Sequence, residues 1–256
     1  MKFYIPTYEE CLEIVNESPD MYFYERKYSI DYYQLSVFGY RHAKYNNFIL
    51  PVIDKPHINA LEMKGITYVF DDDGSYRHYL LLHKFWEMDQ YDHSKYDQYK
   101  DKLIKNVTIK EDGFLISFLP LPSGEIISFA KHGFYEDTNI EANKYLENLN
   151  YNRFIKNCLD SGVQPIFEYV RKNAMIVEYD KNDLVLLKLR DNFTGKYLDI
   201  KDFDTTGISI VTEVHKSFSE ILDMIENTEN LEGWVVHFED DDMLKVKTKW
   251  WRKHKK

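Results

Sequence analysis

Lys110 is followed by Glu111, Asp112 and Gly113. A lysine amine attacks phosphorus or a carbonyl carbon only when neutral, and a free lysine holds its proton to a pKa of about 10.4. Cationic neighbours or burial must lower that value before the amine can act as a nucleophile. A catalytic lysine should therefore come with other lysines converging on it. Lys245-Val246-Lys247 offers two cations on one face of a strand, because strand side chains alternate. Two cations on a half-buried face are costly unless an anion sits between them. Glu232, just ahead of Gly233, reads either as a Mg2+ ligand or as a turn residue. Glu168 stands among apolar neighbours in Pro165–Val170, and is either outward-facing or buried with a partner. Plainer readings stand beside these. Asp112-Gly113 is a turn signal with a solvated lysine before it, and Lys245 and Lys247 suit a guarded edge strand. If Lys110 lies beside an exposed turn, its truncation should cost little stability.

The elements that must position these residues are short. Tyr8–Asn16 has helical periodicity and Tyr32–Phe38 alternates as a strand. Ile66–Phe70 and His78–Leu82 flank the turn Asp71–Gly74, and Asn106–Lys110 and Phe114–Leu119 repeat that arrangement around Asp112-Gly113. Glu125–Phe129 is a further strand. Asn139–Asp160 has the spacing of one long helix. Pro165–Val170, Ala174–Tyr179, Leu184–Leu189 and Ile208–Val211 all read as strands. Phe218–Glu226 reads as a helix, and Gly233–Phe238 with Met243–Thr248 as a closing hairpin. Many hairpins and few helices predict an α+β protein with largely antiparallel sheets.

The composition excludes several classes. The chain has 256 residues, enough to bury a core without disulfides. Charged residues at 30% and hydrophobic residues at 44% describe a globular protein rather than a disordered one. With 10 Gly and 7 Pro, no glycine-rich phosphate loop is expected, and neither common loop pattern occurs. The net charge is −10, made up of −17 on the body and +7 on the last 13 residues, Leu244–Lys256. That excludes a uniformly basic nucleic-acid coat but leaves room for a local basic site. The two cysteines, Cys11 and Cys158, are far apart and suggest a reducing, cytoplasmic setting with no cysteine zinc site. The start of the chain has no signal-peptide pattern, and no 18-residue apolar run is present, so no membrane partner is expected.

The chemistry-bearing pieces fall in a recognisable order. Lys110-x-Asp112-Gly113, Phe167-Glu168-Tyr169-Val170, Glu232-Gly233-Trp234-Val235 and Lys245-Val246-Lys247 resemble motifs I, III, IV and V of the covalent nucleotidyltransferases. Leu184–Asp191 resembles motif IIIa. That superfamily contains polynucleotide ligases and mRNA capping enzymes. Finer detail makes the chain similar to the bacteriophage RNA ligase 1 family, the tRNA-repair type. Lys110–Leu115, Leu186–Asn192 with Thr194–Tyr197, Leu244–Trp251, Phe38–Pro51 and Leu61–Tyr68 carry that resemblance, which runs from about Tyr32 to Trp251.

The resemblance implies one α+β nucleotidyltransferase domain over residues 1–256, with antiparallel sheets forming an ATP cleft and helices flanking it. It implies an ATP-dependent RNA ligase that joins 5′-phosphate and 3′-hydroxyl ends through lysyl-AMP and adenylated RNA. Lys110 would be the nucleophile. Lys245 and Lys247 would neutralise phosphates, Glu232 would hold Mg2+ (with Mn2+ as a substitute), and Glu168 would contact the ribose. Tyr40, Lys64, Lys84 and Lys131 match positions that line the triphosphate or the lysine. Leu187 and Val235 would sandwich the base. The implied partners are ATP and single-stranded RNA or broken tRNA ends, with the chain acting as a monomer. Alternatives are an RNA 5′-adenylyltransferase with weak sealing, or a catalytically inactive RNA-binding module. The intact Lys110, Glu168, Glu232, Lys245 and Lys247 argue against the last.

The chain departs from the family in places. Lys64 stands where the family has Arg, which exchanges a bidentate phosphate contact for a point charge. Ala174 stands where an Arg is usual, with Arg171 or Lys172 as substitutes, and Trp86 and Trp251 replace a Phe and a Tyr. The chain ends soon after motif V, so the family's helical C-terminal domain is expected to be absent. His83, Asp89, Asp92 and His93 lack metal-ligand spacing and predict a surface loop. The tail Trp250–Lys256 reads equally as an RNA-stacking segment or a solvated end.

Overall fold

Alternating apolar residues place most strands where the pattern predicts them. A computed structural model describes residues 3–18, 22–42, 44–49, 58–134 and 137–255. Positions 43, 50 and 51 of the Phe38–Pro51 motif, and Lys256 of the tail, lie outside the described residues. The chain runs α1 (Tyr8–Glu17), β1 (Phe23–Ile30), β2 (Tyr33–Tyr40), α2 (Tyr45–Ile49), β3 (Ile66–Phe70), β4 (Tyr76–Tyr79), β5 (Trp86–Glu87), β6 (Ile104–Lys110), β7 (Phe114–Pro120) and β8 (Ile126–Ala130). It continues with α3 (Asp137–Asn143), α4 (Leu149–Asp160), β9 (Val163–Val170), β10 (Asp183–Asp191), β11 (Tyr197–Leu198), β12 (Ser209–Ile210), α5 (Phe218–Met224), β13 (Gly233–Phe238), β14 (Met243–Lys247) and α6 (Lys249–His254). This is an α+β chain with largely antiparallel sheets, as the pattern predicts.

The chain divides into two compact units. The first comprises Met1–Lys84, Leu115–Phe167 and Leu187–Ile208. Within it β1, β2, β3 and β4 form an antiparallel sheet in that order. Leu35, Val37 and Val69 pack with Leu119, Phe129 and Phe134 in its core. A capping box between Thr7 and Glu10 starts α1, satisfying amide groups that the first helical turn leaves unpaired. The buried Arg190 donates to both carboxylate oxygens of Glu62 and to the carbonyls of Leu81 and Gly195. Each of its three nitrogens thus has a partner, the condition under which a buried charge is tolerated.

The second unit comprises Phe85–Phe114, Glu168–Leu186 and Ser209–Lys256. Its sheet has the order β5-β14-β13-β6. One face is apolar: Trp234, Val236, Phe238, Leu244 and Val246 pack with Val107 and with Phe218 and Ile221 of α5. Because the side-chain period is two, the opposite face must carry Lys110, Thr108, Val235, Lys245 and Lys247.

Several expectations give way. Asn106–Lys110 and Phe114–Leu119 are not a hairpin, because β6 pairs with β13 and β7 pairs with β8. Asn139–Asp160 is not one helix. Lys144–Glu147 tightens to a 3-10 turn, and the Asn148 side chain caps α4 by accepting from the amides of Asn150 and Tyr151. Ala174–Tyr179 is irregular rather than a strand, since side chains satisfy its amides, as described below. His83 does not lie on a surface loop. It is buried, with Nδ1 2.8 Å from the Tyr197 hydroxyl. The tail is not simply solvated, because α6 buries Trp251 and is capped by the Thr248 hydroxyl.

Candidate active site

In the second unit, register alone brings two of the predicted lysines to one point. Gly233 on β13 is the cross-strand partner of Lys110 on β6 and of Lys247 on β14. The next row on the same face is Thr108, Val235 and Lys245. Gly233 has φ +152, and a Cβ there would lie 2.0 Å from the Val246 carbonyl. Only glycine fits between the two lysines. The preceding residue, Glu232, then delivers its carboxylate to both. Oε2 is 2.6 Å from Lys110 Nζ and Oε1 is 3.0 Å from Lys247 Nζ. The carboxylate is buried, at 5% side-chain exposure. Here is the anion that two cations on a half-buried face require.

The lysines have further partners. Lys247 lies 3.5 Å from Glu87 and sits over the Trp251 ring at 3.9 Å. Lys245 donates to the Phe85 carbonyl and sits over the Phe85 ring at 4.2 Å. Val235 is half-buried between Thr108 and Lys245.

The turn after Lys110 is built rather than merely exposed. The Asp112 amide donates to the Tyr179 hydroxyl at 2.8 Å, and that hydroxyl donates to Glu111 at 3.0 Å. Asp112 Oδ2 accepts from the amides of Ile176 and Val177. Burial pushes the Glu111 carboxyl above its ordinary value, opposed by the Tyr179 hydrogen bond and the charge of Lys110. Lys110 itself keeps 20% of its side chain exposed, which corrects the expectation that it flanks an exposed turn. Glu168 is buried on β9, with its Cγ against Gly113 of the same turn.

In the first unit a second cluster forms around Tyr40, at the end of β2. Lys84 donates to the Tyr40 hydroxyl at 3.1 Å and lies over the Tyr40 and Phe48 rings at 4.8 and 5.2 Å. Lys131 Nζ stands 3.9 Å from the Tyr40 ring centroid. Burial and the charge of Lys131 push the Lys84 ammonium down to about 8, and burial lowers Lys131 as well. Lys64 belongs to the turn before β3, whose next residue, Gly65, lies on the Lys131 backbone. Leu187 is half-buried on β10 in this unit.

A sequence profile described as RNA ligase matches residues 70–255. The chain belongs to the RNA ligase family. That is the family to which the motif order pointed. A curated protein of Thermovibrio ammonificans named "Putative RNA ligase" is 25% identical over 185 residues, covering 67% of this chain and 47% of that protein. Two solved structures of an archaeal ATP-dependent RNA ligase share the fold. One has a TM-score of 0.60 at 14% identity, over 87% of this chain and 58% of that one. The other has a TM-score of 0.59 at 15% identity, over 88% and 58%. The chain thus spans about half the length of the curated relative it matches.

Such ligases imply a divalent cation with the nucleotide, and Glu232 is the expected ligand. The described side chains offer this one carboxylate rather than a full protein-held metal cage. Both Glu232 oxygens are engaged by ammonium groups, and among the described residues no three His, Cys, Asp or Glu side chains form a metal cluster. A cation joining Glu232 would share a carboxylate that already holds two lysines.

Glu87 and Tyr179 belong to the geometry of this site and escape sequence reasoning. Glu87 lies in a two-residue strand, and its only sequence cue is the neighbouring Trp86. Tyr179 falls in a segment whose amides are satisfied by side chains, which leaves no periodic pattern.

Proposed function

We propose that the protein is an ATP-dependent RNA ligase that joins 5′-phosphate and 3′-hydroxyl RNA ends, with Lys110 as its nucleophile. The observation that carries this reading is the pair of ammonium groups of Lys110 and Lys247 on the single buried carboxylate of Glu232. A solvated lysine beside a turn needs no such partner, whereas an amine that must pass its proton on does. Glu232 Oε2, at 2.6 Å, stands within hydrogen-bond reach of the proton that the amine must lose.

In the first step Lys110 Nζ attacks the α-phosphorus of ATP. A P–N bond forms, the bond to the β-phosphate oxygen breaks, and pyrophosphate leaves. In the second, an oxygen of the RNA 5′-phosphate attacks the same phosphorus. The P–N bond breaks and the amine regains a proton. In the third, an RNA 3′-hydroxyl attacks the 5′-phosphate, loses its proton and expels AMP. ATP enters as its Mg2+ or Mn2+ complex, so the metal arrives with the substrate. Lys245 and Lys247 offset charge on the transferring phosphates, as cationic clamps do in phosphoryl transfer. Tyr40, Lys64, Lys84 and Lys131 bind the polyphosphate. Glu168 takes the ribose, and Leu187 and Val235 the adenine.

The test is a single-stranded RNA with a 5′-phosphate and a 3′-hydroxyl, incubated with ATP and Mg2+ and resolved on a denaturing gel. Circular and dimeric products are expected, with adenylated RNA as an intermediate. Adenylated RNA alone would favour an adenylyltransferase. Formation of neither ligated nor adenylated RNA would overturn the proposal.

A further inference from the structure

On β1 the side-chain alternation separates two kinds of face. Glu25 accepts from the hydroxyls of Tyr8 and Ser36. Tyr24, Arg26 and Tyr28 fall on the opposite face. There the Arg26 guanidinium lies 5.1 Å from the Tyr24 ring centroid, and the Arg41 guanidinium 5.7 Å from the same centroid. Both arginines are exposed. Among the described residues neither has a carboxylate within ion-pair distance. That is unusual in a chain whose net charge is −10, where acids outnumber bases.

The patch is built, not incidental. Tyr24 Oη meets His132 Nδ1 at 2.8 Å, and the His132 carbonyl accepts from Arg26 at 2.9 Å and from the Tyr28 hydroxyl at 2.8 Å. Gly133 completes it. Its φ is +124, and a Cβ there would overlap the Tyr28 hydroxyl at 1.9 Å. The ring face takes one side of each guanidinium, which leaves N–H edges free for an anion.

Its position in the chain is also informative. Arg41 follows Tyr40, and His132 follows Lys131. The patch thus adjoins the cluster of Tyr40, Lys84 and Lys131 along the chain at the end of β2, although register pairs Tyr40 with Phe23 and so turns its side chain to the other face of the sheet.

We infer that Arg26 and Arg41, held over Tyr24, bind consecutive backbone phosphates of the single-stranded RNA substrate. This inference rests on the RNA ligase reading. Two guanidiniums on one aromatic support suit a flexible polyanion, whose phosphates can adjust to the spacing.

The experiment is fluorescence anisotropy with a labelled 5′-phosphorylated oligoribonucleotide across a range of salt concentrations, on the full chain. Each single-strand phosphate that the protein ceases to neutralise should take about 0.7 off the log–log salt slope. Arg26→Ala with Arg41→Ala should therefore shrink the slope by about 1.4 and weaken binding roughly tenfold at low salt. The double Arg→Lys variant should restore most of the slope, because counterion release depends on charge. Covalent AMP labelling from ATP is read in parallel. An unchanged slope and affinity in the double alanine variant would overturn the inference. So would weaker binding at an unchanged slope, because that would mean a disturbed structure rather than fewer neutralised phosphates. Absence of AMP labelling in the unmodified protein would instead sink the ligase reading, while the anisotropy comparison would still judge the patch.

Discussion

Glu232 is the residue on which the site depends most. Removing one partner of a buried ion pair leaves a bare charge, at a cost of about 3–5 kcal/mol. Here Glu232→Ala would strand two lysines, whose side chains are only 20% and 11% exposed. Urea unfolding should show a loss near the lower end of that range, about 3 kcal/mol. AMP labelling should fall by more than about 100-fold, equivalent to about 2.7 kcal/mol. Lys247→Ala should lower labelling more than Lys247→Arg, which keeps the charge. Stability unchanged by Glu232→Ala would contradict the paired geometry. Lys84 makes a prediction about pH. Its ammonium is pushed down to about 8, chiefly by burial. The charged form attracts phosphate, exists below that pH and is lost above it. The kcat/KM for ATP in AMP transfer, which reports the free enzyme, should therefore fall as pH rises through about 8. Lys84→Arg stays charged throughout and should flatten that fall. A profile identical in both proteins would remove Lys84 from polyphosphate binding.

The turn after β6 shows how an element places its lysine. Tyr179 holds it from outside the sheet, through the Asp112 amide and the Glu111 carboxylate. Tyr179→Phe removes both hydrogen bonds, each worth about 1 kcal/mol. Single-turnover labelling should slow several-fold while the ATP concentration for half-maximal rate stays constant, since positioning is impaired and binding is not. A change confined to that concentration would argue against positioning. The same turn marks where sequence reading stops. β13 and β14 were legible because Trp234, Val236 and Phe238 alternate, as do Leu244 and Val246. Lys110, Glu232 and Lys247 were legible as motifs in order, although only register shows that Gly233 lets one carboxylate reach both lysines. Asp112-Gly113 misled, because a turn signal does not say which strands its neighbours pair with. β1 was missed because Tyr, Glu, Arg and Lys dominate it. Its pattern is explained by aromatic and cationic contacts rather than by burial. Asn148 was missed as a break because a capping asparagine is locally indistinguishable from a helix residue.

Over the whole molecule, charge is unevenly spread, with −17 on the body and +7 on the last 13 residues. Part of that positive tail is spent internally, since Arg252 pairs with Glu87 and Lys249 with Glu226. On the proposed function, RNA is held by a few local cations on an acidic body. The salt slope for RNA binding should be shallow, no steeper than about −3, because few phosphates are neutralised. A slope like that of a basic nucleic-acid coat would contradict this distribution. Among the described residues no helix is long and apolar enough to cross a membrane. The central claim is that Lys110 carries AMP. Its most direct test is incubation with ATP labelled at the α-phosphate, followed by denaturing electrophoresis and peptide mapping, with Lys110→Ala alongside. The account predicts an acid-labile, base-stable label on the peptide containing Lys110, absent from a folded Lys110→Ala protein. Labelling of Lys110→Ala at the native level, or a label on another peptide, would contradict it.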